Sequence, residues 1–531
     1  MKKSILRRCI ALLIVSVMLL GLAAGCSQDS KEDGGENDDK VTTKGGKEGK
    51  EEDGDDQLVV TMLYSDNASY QYKEDWLILE EIEKRTGVKL ELIPVPESDW
   101  ATKRTTIINS GDMPDIISKT LSHEVSDYAT SGLFLPISDY LDSMPNLSAF
   151  IEEFGYEDDL DLAREADGKF YILPVNCKES RMNNMSWMIR QDLLDKHDLE
   201  MPKTLDDVLN VARVFKEAYP DVYPITNRFQ WGNMTTTIAR GFGIPGGWQL
   251  PGHGFYYDQD SDDFVFIPGT EEYKAFLEYM NTLYSEGLLD PEYLTLDSNV
   301  YEQRIANSQN LILCDWVGND IRYNRDGQSI DSEFNIVAMV PPTGPNGDYA
   351  IGNTALYSQG WAIPASTAER EDFSEILEFF DWFYTEEAAV LTTFGVEGIT
   401  YKVENDTLQW IDKEANKTAD YGIFNNCLTP RFHRDYLYAD WADNSIEVYK
   451  EMKEKDVVPP LVPSVKLTAD QKEFESMYVT ALADYQWTMA AKFVDGSESF
   501  DNWDAFVDEC EKKGAAELRE LYNEVWQEQK N

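Results

Sequence analysis

The sequence is poor in basic residues, histidine and cysteine for a chain of 531 residues. It contains 47 lysines and arginines against 98 aspartates and glutamates, which gives a formal net charge of -51. Nucleic-acid binding requires a basic surface that displaces the counterions of the phosphate backbone, so this composition argues against a nucleic-acid partner. The charge balance favours a neutral or cationic partner instead.

Residues arranged for catalysis or metal binding are also scarce. The four histidines have no metal-ligand spacing, and the sequence has no HExxH, GxSxG or GxxxxGK[ST] motif. We therefore predict no enzyme activity, no metal and no cofactor. A glycosidase needs only two suitably spaced carboxylates, so a surface glycan-processing enzyme remains an alternative.

The six cysteines are scattered along the chain and form no CxxC pair. Cys9 and Cys26 lie near the N terminus. The other four are Cys177, Cys314, Cys427 and Cys510. Sparse cysteines without metal spacing favour buried free thiols over a disulfide framework, so no essential bridge is expected.

The N-terminal region carries the one long apolar run, from Ile10 to Leu22, directly after a cluster of basic residues. This order is typical of a secretory signal peptide, and the run is shorter than the roughly 20 residues of a spanning helix. We predict that residues 1–25 are a signal peptide. Residues 26–56 are rich in acids, lysine and glycine, with Val41 as their only aliphatic residue, and should form a disordered acidic tether.

The stretch from Leu22 to Cys26, Leu-Ala-Ala-Gly-Cys, resembles the lipobox of bacterial lipoproteins. It departs from the usual pattern at Ala23, where leucine is common. The resemblance implies that Cys26 is lipidated, with palmitate among its acyl chains, and becomes the mature N terminus on the outer face of the cell membrane. Two acyl chains suffice for stable anchoring. The alternative is ordinary secretory cleavage with Cys26 incidental.

The rest of the chain has the pattern of an α/β protein. Strands are predicted at 58–64, 88–93 and 115–118 with helices between them, which suggests a parallel sheet. Capping boxes are predicted at Thr204 with Asp207 and at Thr468 with Gln471. The second box should begin a helix with one apolar face, formed by Phe474, Met477, Tyr478 and Leu482. Because one core rarely extends beyond about 250–300 residues, we expect two lobes.

Several short stretches resemble, in order, the bacterial extracellular solute-binding lipoproteins of family 1, the sugar-binding type associated with ABC transporters. The matching stretches are Ser110 to Ile116, Ala166 to Pro174, Ile189 to Leu194, Gly360 to Pro364, Phe394 to Gly398 and, more loosely, Ser499 to Trp503. Together these stretches are spread, in family order, over nearly all of residues 58–531.

The resemblance implies a two-lobed periplasmic-binding-protein-like fold of type II, with a hinge and an interlobe cleft. Its layout assigns residues 57–180 and 355–420 to lobe 1, and residues 181–354 and 421–531 to lobe 2. It also implies a monomer that captures an oligosaccharide and delivers it to the permease subunits of an ABC importer. Some relatives bind calcium in an acidic loop, but residues 217–224 lack the alternating oxygen ligands, so no calcium is predicted.

The candidate binding residues are aromatic platforms and polar groups at strand ends. A pyranose binds flat aromatic rings through its C–H face and carboxylates through its hydroxyls. The candidate platforms are Trp187, Trp231, Trp248, Trp316 and Trp361, each of which could equally pack in a core. The polar candidates are Tyr64, Asp66, Asn67, Asp315 and Glu397, with Arg190 and Lys119 for an anionic ligand. Arg190 could instead pair with Asp192. A peptide or a charged sugar remains an alternative ligand.

Overall fold

A computed structural model describes residues 57–530 with short gaps. The gaps are 69, 122–123, 126–127, 129–130, 179–184, 229, 246–253, 353–358, 414, 437–438, 440, 456 and 458–462. The predicted signal peptide at 1–25, the tether at 26–56, the lipidation site Cys26 and the candidate platform Trp248 lie outside the described residues.

Strands and helices alternate along the chain. The strands are β1 (Val59–Asp66), β2 (Lys89–Pro96), β3 (Ile116–Thr120), β4 (Ile172–Val175), β5 (Met185–Arg190), β6 (Phe255–Asp258), β7 (Asp263–Phe266), β8 (Ile312–Trp316), β9 (Ile336–Met339), β10 (Gln359–Ala362), β11 (Tyr401–Glu404) and β12 (Thr407–Trp410). The helices are α1 (Leu77–Thr86), α2 (Trp100–Ser110), α3 (Pro145–Phe154), α4 (Glu157–Leu162), α5 (Gln191–Lys196), α6 (Leu205–Ala218), α7 (Gln230–Thr236), α8 (Glu271–Ser285), α9 (Ser298–Ala306), α10 (Asn319–Gln328), α11 (Phe373–Trp382), α12 (Glu386–Phe394), α13 (Lys417–Tyr421), α14 (Asp443–Glu454), α15 (Ala469–Ser476), α16 (Val479–Asp495), α17 (Trp503–Cys510) and α18 (Ala516–Gln529).

The first lobe is built on a sheet whose order, within the described residues, is β2-β1-β3-β10-β4. β1 pairs in parallel with β2 and β3, which confirms the predicted strand-helix-strand pattern. β10 enters from much later in the chain and pairs antiparallel with β3 and β4. Met62 and its neighbour Leu63 belong to different core clusters, because successive side chains of a strand point to opposite faces. Both faces of this sheet are therefore covered.

The second lobe is built on a smaller sheet, β8-β5-β9 among the described strands, in which β5 is antiparallel to both neighbours. Every residue of β5 is buried. Helix α6 begins with the predicted capping box, since Thr204 Oγ1 accepts from the Asp207 backbone N–H at 3.1 Å and Asp207 Oδ2 accepts from the Thr204 N–H at 3.0 Å. Its face of Leu205, Val208, Ala212 and Phe215 packs in the core.

The predicted C-terminal helix face is wrong in one respect. The capping box at Thr468 and Gln471 is present, but α15 ends at Ser476 and α16 begins at Val479, so the apolar residues do not share one helix. The chain tightens at the end of α15, where the Met477 N–H donates to the Phe474 carbonyl at 3.2 Å. Met477 is consequently 62% exposed.

The chain passes between the lobes more than once. Flanking residues place the crossings between Cys177 and Met185, between Ile351 and Gln359, and between Ala439 and Trp441. The segment before the last crossing packs on the first lobe: Ile423, Cys427, Leu428 and Ala439 all belong to its core. Residues after 420 were expected in the second lobe, whereas these side chains are buried in the first.

Candidate functional site

A cavity of about 410 Å³ lies where the two lobes face each other, and we call it the cleft cavity. Its walls are Trp316, Gly318, Asn319, Ile321, Arg322, Arg325, Lys413, Phe424, Tyr436 and Trp441. The second lobe supplies the end of β8 and helix α10. The first lobe supplies the segment that follows β12, in which Tyr436 packs against the first core. The volume is within the range of about 300–1,000 Å³ for ligand pockets.

Aromatic rings from both lobes line the cleft cavity. Phe424 and Tyr436 lie 5.9 Å apart between ring centroids on the first-lobe side. Trp316 and Trp441 lie on the opposite side, next to Gly318. A Cβ atom at Gly318 would lie 2.9 Å from the Trp441 ring, so the glycine allows the indole to approach the start of α10. Flat rings at this position can hold the C–H face of a sugar.

The charged groups in the walls of the cleft cavity are cations. They are Arg322 and Arg325 on α10 and Lys413 on the first lobe, and none of the described lining residues is aspartate or glutamate. Arg322 pairs with Glu302 at 2.9 Å, and Arg325 pairs with Asp326 at 2.9 Å. Neither carboxylate is among the described lining residues of the cavity.

Asp315 was expected to bind the ligand, but it is fully buried behind Trp316. Its carboxylate accepts from Arg228 at 2.6 Å and from the Tyr323 hydroxyl at 2.5 Å. It also accepts from the Trp316 backbone N–H at 2.8 Å and from Asn319 at 3.2 Å. This expectation is wrong because hydrogen-bond donors of the protein already occupy both oxygens of the carboxylate. Asp315 instead positions two residues of the cavity wall.

Arg228 completes this buried network. Burial disfavours its charge, but the Asp315 carboxylate raises the pKa of the Arg228 guanidinium above its ordinary value. The guanidinium carbon lies 5.3 Å from the Trp316 ring centroid. The same side chain lies 3.7 Å from Glu302, the partner of Arg322. The charges beneath the cavity therefore form one connected set.

A second polar cluster forms at the carboxyl ends of β1, β2 and β3. Glu97, which follows β2, accepts hydrogen bonds from Asn67 and from Lys119. Burial and the nearby Glu97 carboxylate raise the pKa of Tyr70 to about 12. The sequence predicted Asn67 and Lys119 but missed Glu97, which lies just beyond an apolar strand. The neighbouring candidate Asp66 accepts from the Tyr72 backbone N–H at 2.8 Å and so closes the turn after β1.

Three aromatic residues that were predicted to contact the ligand lie in the hydrophobic cores instead of the cleft. The Trp187 indole donates to the Ala350 carbonyl at 2.9 Å, and the Trp361 indole donates to the Cys427 carbonyl at 2.8 Å. The Tyr64 hydroxyl accepts from an asparagine side chain at 2.9 Å. Each ring is at most 2% exposed. Their polar atoms are satisfied by the protein, so these residues are packing groups, contrary to their expected ligand role.

Arg190 is a structural cation. It is 1% exposed, pairs with Asp192 at 2.5 Å and lies 3.9 Å from the Phe334 ring centroid. The alternative that it pairs with Asp192 is therefore confirmed, and its ligand role is wrong because no face of the guanidinium is open to a ligand.

Trp231 and Glu397 also lie away from the cleft cavity. Trp231 is 8% exposed and stacks on Trp487, with ring centroids 5.4 Å apart, so it packs in the second lobe. Glu397 is exposed in the turn after α12 and bridges to Tyr401. Of the predicted residues that the structure describes, only Trp316 lies in the cavity wall.

The wall residues that the sequence analysis missed are Arg322, Arg325, Lys413, Phe424, Tyr436 and Trp441. The helix α10 carries few apolar residues, and the segment from 413 to 441 has no regular hydrophobic period. One signal was present: residues 424–441 are rich in aromatic residues without a helix or strand pattern to bury them.

The described cysteines, Cys177, Cys314, Cys427 and Cys510, are buried with free thiols, as predicted. Burial raises the pKa of the Cys510 thiol to about 12. Over the described part of the chain, no group of three or more potential ligands is arranged to hold a metal ion. Nor do the helices described there include one with the length and apolar character needed to cross a membrane.

Two α/β lobes connected by several crossings, with a cavity walled by both, define a solute-binding protein of the periplasmic-binding type. The chain belongs to the bacterial extracellular solute-binding protein family, whose family model matches residues 64–390. Members of this family and the structural neighbours below are binding proteins, not enzymes.

Individual relatives match along most of the chain. The polygalacturonan/rhamnogalacturonan-binding protein YtcQ of Bacillus subtilis is 24% identical over 98% of this chain and 99% of its own. The fructooligosaccharide ABC transporter substrate-binding protein FusA of Streptococcus pneumoniae is 24% identical over 86% of this chain and 88% of its own.

Solved structures share the fold. The alginate-binding protein AlgQ2 without calcium superposes with a TM-score of 0.72 at 19% identity, covering 89% of this chain and 99% of its own. FusA of Streptococcus pneumoniae in complex with kestose superposes with a TM-score of 0.67 at 21% identity, with the same coverage.

Proposed function

We propose that the protein is a lipid-anchored extracellular receptor that captures an oligosaccharide in the cleft cavity and delivers it to an ABC importer. The observation that carries this proposal is the cleft cavity itself, which has aromatic walls on both lobes. Relatives named for binding polygalacturonan and fructooligosaccharide support a saccharide ligand. The ABC transporter in the name of FusA supports an importer as partner.

Capture follows from the division of the walls between the lobes. Phe424 belongs to the first lobe and Trp441 to the second, so a ligand contacts both only when the lobes are close together. It therefore binds the closed state more tightly and shifts the population toward that state. An ion pair between Glu165 of the first lobe and Lys472 of the second, at 3.0 Å, contributes to the arrangement described here.

Saccharide binding is tested with the purified mature protein and a panel of neutral and acidic oligosaccharides. A ligand at 100 times its dissociation constant adds about 2.7 kcal/mol of stability, which a thermal-shift assay detects. Trp441→Ala should weaken binding at least tenfold. The matched control Trp526→Ala, on α18 of the second lobe, should leave affinity unchanged. Peptide binding without any saccharide binding would contradict the proposal.

Anchoring and delivery are tested in cells. Cys26→Ser should release the protein from the membrane fraction and abolish incorporation of labelled palmitate. Uptake of the ligand identified in vitro should require both the intact protein and the transporter. Uptake that is unchanged in a strain lacking the protein would contradict the role in import.

A further inference from the structure

The cleft cavity has the opposite charge to the molecule as a whole. The chain contains about two acids for each base, with 98 aspartates and glutamates against 47 lysines and arginines. The described walls of the cavity nevertheless hold three bases and no acid. Since acids predominate in this sequence, this local exclusion of carboxylates marks the cavity as different from the rest of the surface.

The cations that line the cleft cavity come from both lobes. Arg322 and Arg325 are three residues apart on α10 and therefore share a face of that helix. Their side chains are 38% and 60% exposed, respectively. Lys413 comes from the first lobe. A ligand held between the lobes can therefore meet positive charge from both sides.

The ion pair of Arg322 does not use all the N–H groups of its guanidinium. Arg322 pairs with Glu302 through one terminal nitrogen, and its side chain remains 38% exposed at the wall of the cavity. A guanidinium has five N–H donors in a planar fork that matches the two oxygens of a carboxylate. Hydroxyl groups of a neutral sugar would accept these bonds more weakly, because charged acceptors make the stronger hydrogen bonds.

We propose that the ligand is an acidic oligosaccharide whose uronate carboxylates bind Arg322, Arg325 and Lys413 while its rings stack on the aromatic walls. This inference rests on the proposed function and names the substrate class of that same site. It reverses the expectation of a neutral or cationic partner, since local contacts decide binding and charges beyond a Debye length of about 8 Å are largely screened at physiological salt.

The test compares saccharides that differ in charge and little else. Trimers of galacturonate, glucuronate and mannuronate, each with its methyl ester, are titrated into the purified mature protein by calorimetry. We expect at least one acid to bind 100-fold or more tightly than its ester. The double variant Arg322→Gln with Lys413→Gln should reduce this preference below tenfold. Arg519→Gln, which removes an exposed pair with Glu511 on the second lobe, is the matched control and should preserve it.

The outcomes separate this inference from the function on which it rests. Equal binding of acids and esters, weakened by Trp441→Ala, would overturn the acidic ligand and leave the receptor intact. Tighter binding of a phosphorylated trisaccharide than of any uronate trimer would mean that the cations recognise phosphate and would overturn the proposed carboxylate ligand. Failure to bind any saccharide would overturn both proposals.

Discussion

Replacing Asp315 by asparagine should destabilise the second lobe and weaken ligand binding together. The change keeps the shape of the side chain but removes the charge that faces Arg228 at 2.6 Å. Both partners are buried, with side-chain exposures of 0% and 7%. Breaking one side of such a pair costs about 3–5 kcal/mol, because the remaining charge stays buried and loses its close partner. That cost is a large share of the 5–15 kcal/mol typical of a folded protein.

Binding should suffer because the same carboxylate positions the cavity wall. In the variant an NH2 group replaces one carboxylate oxygen, so the Tyr323 hydroxyl, the Trp316 N–H and the Asn319 amide have a single uncharged acceptor between them, and the start of α10 is held less firmly. We expect at least a tenfold rise in Kd, which corresponds to about 1.4 kcal/mol.

The assay is urea unfolding, followed by both tryptophan fluorescence and circular dichroism so that coincident transitions can be checked. Asp326→Asn is the matched control, since its pair with Arg325 is 45% to 60% exposed and should contribute less than about 1 kcal/mol. Replacing both buried partners, as in Asp315→Leu with Arg228→Met, should recover much of the lost stability. The reasoning is refuted if Asp315→Asn costs no more than Asp326→Asn.

Three further substitutions test other parts of the structure. Burial raises the pKa of the Asp320 carboxyl, so its charge costs stability at neutral pH, and this cost is recovered as the pH falls through the raised pKa toward the unfolded value of about 3.9. Asp320→Asn should therefore be at least as stable as the native protein at pH 7. In urea titrations, the free energy of unfolding of the variant relative to that of the native protein should be smaller at pH 4.5 than at pH 7. Asp381→Ala removes the carboxylate that accepts the first N–H groups of α3 and should lower the free energy of unfolding by about 2 kcal/mol, whereas a loss below 0.5 kcal/mol would contradict this capping role. Gly318→Ala should displace the Trp441 ring and weaken saccharide binding about tenfold in calorimetry, with unfolding changed by only about 1–3 kcal/mol; unchanged affinity would mean that this ring does not contact the ligand.

The fold could be predicted where local rules decide it. The apolar run of β1, the glycines that end α1 and α2, and the capping box at Thr204 act over a few residues, and all are visible in the sequence. The partner of β3 was not visible, because β10 arrives from residues 359–362 and its pairing depends on the whole first lobe. The break at Met477 was missed because apolar spacing continues across it.

The site was harder because exposure depends on contacts made far along the chain. Trp187 and Trp361 lie in strands buried on both faces, where alternation does not separate a core position from a cleft position. Their indole partners lie 163 and 66 residues away. The buried position of Asp315 could not be predicted for the same reason, since its partner Arg228 is 87 residues away in the sequence. Residues such as Phe424 follow no periodic pattern, so their position at the cavity emerges only from the tertiary structure.

Among the described residues, the first-lobe wall of the cleft cavity comes from the segment that follows β12, and the opposite wall comes from the end of β8, helix α10 and Trp441. Of the described lining residues, the two sheets supply only Trp316, the last residue of β8. The residues that stabilise the fold are therefore almost separate from the residues that determine which ligand binds. Mutations can change the ligand-binding residues while both hydrophobic cores persist, so proteins that share this fold at low sequence identity can differ in ligand specificity.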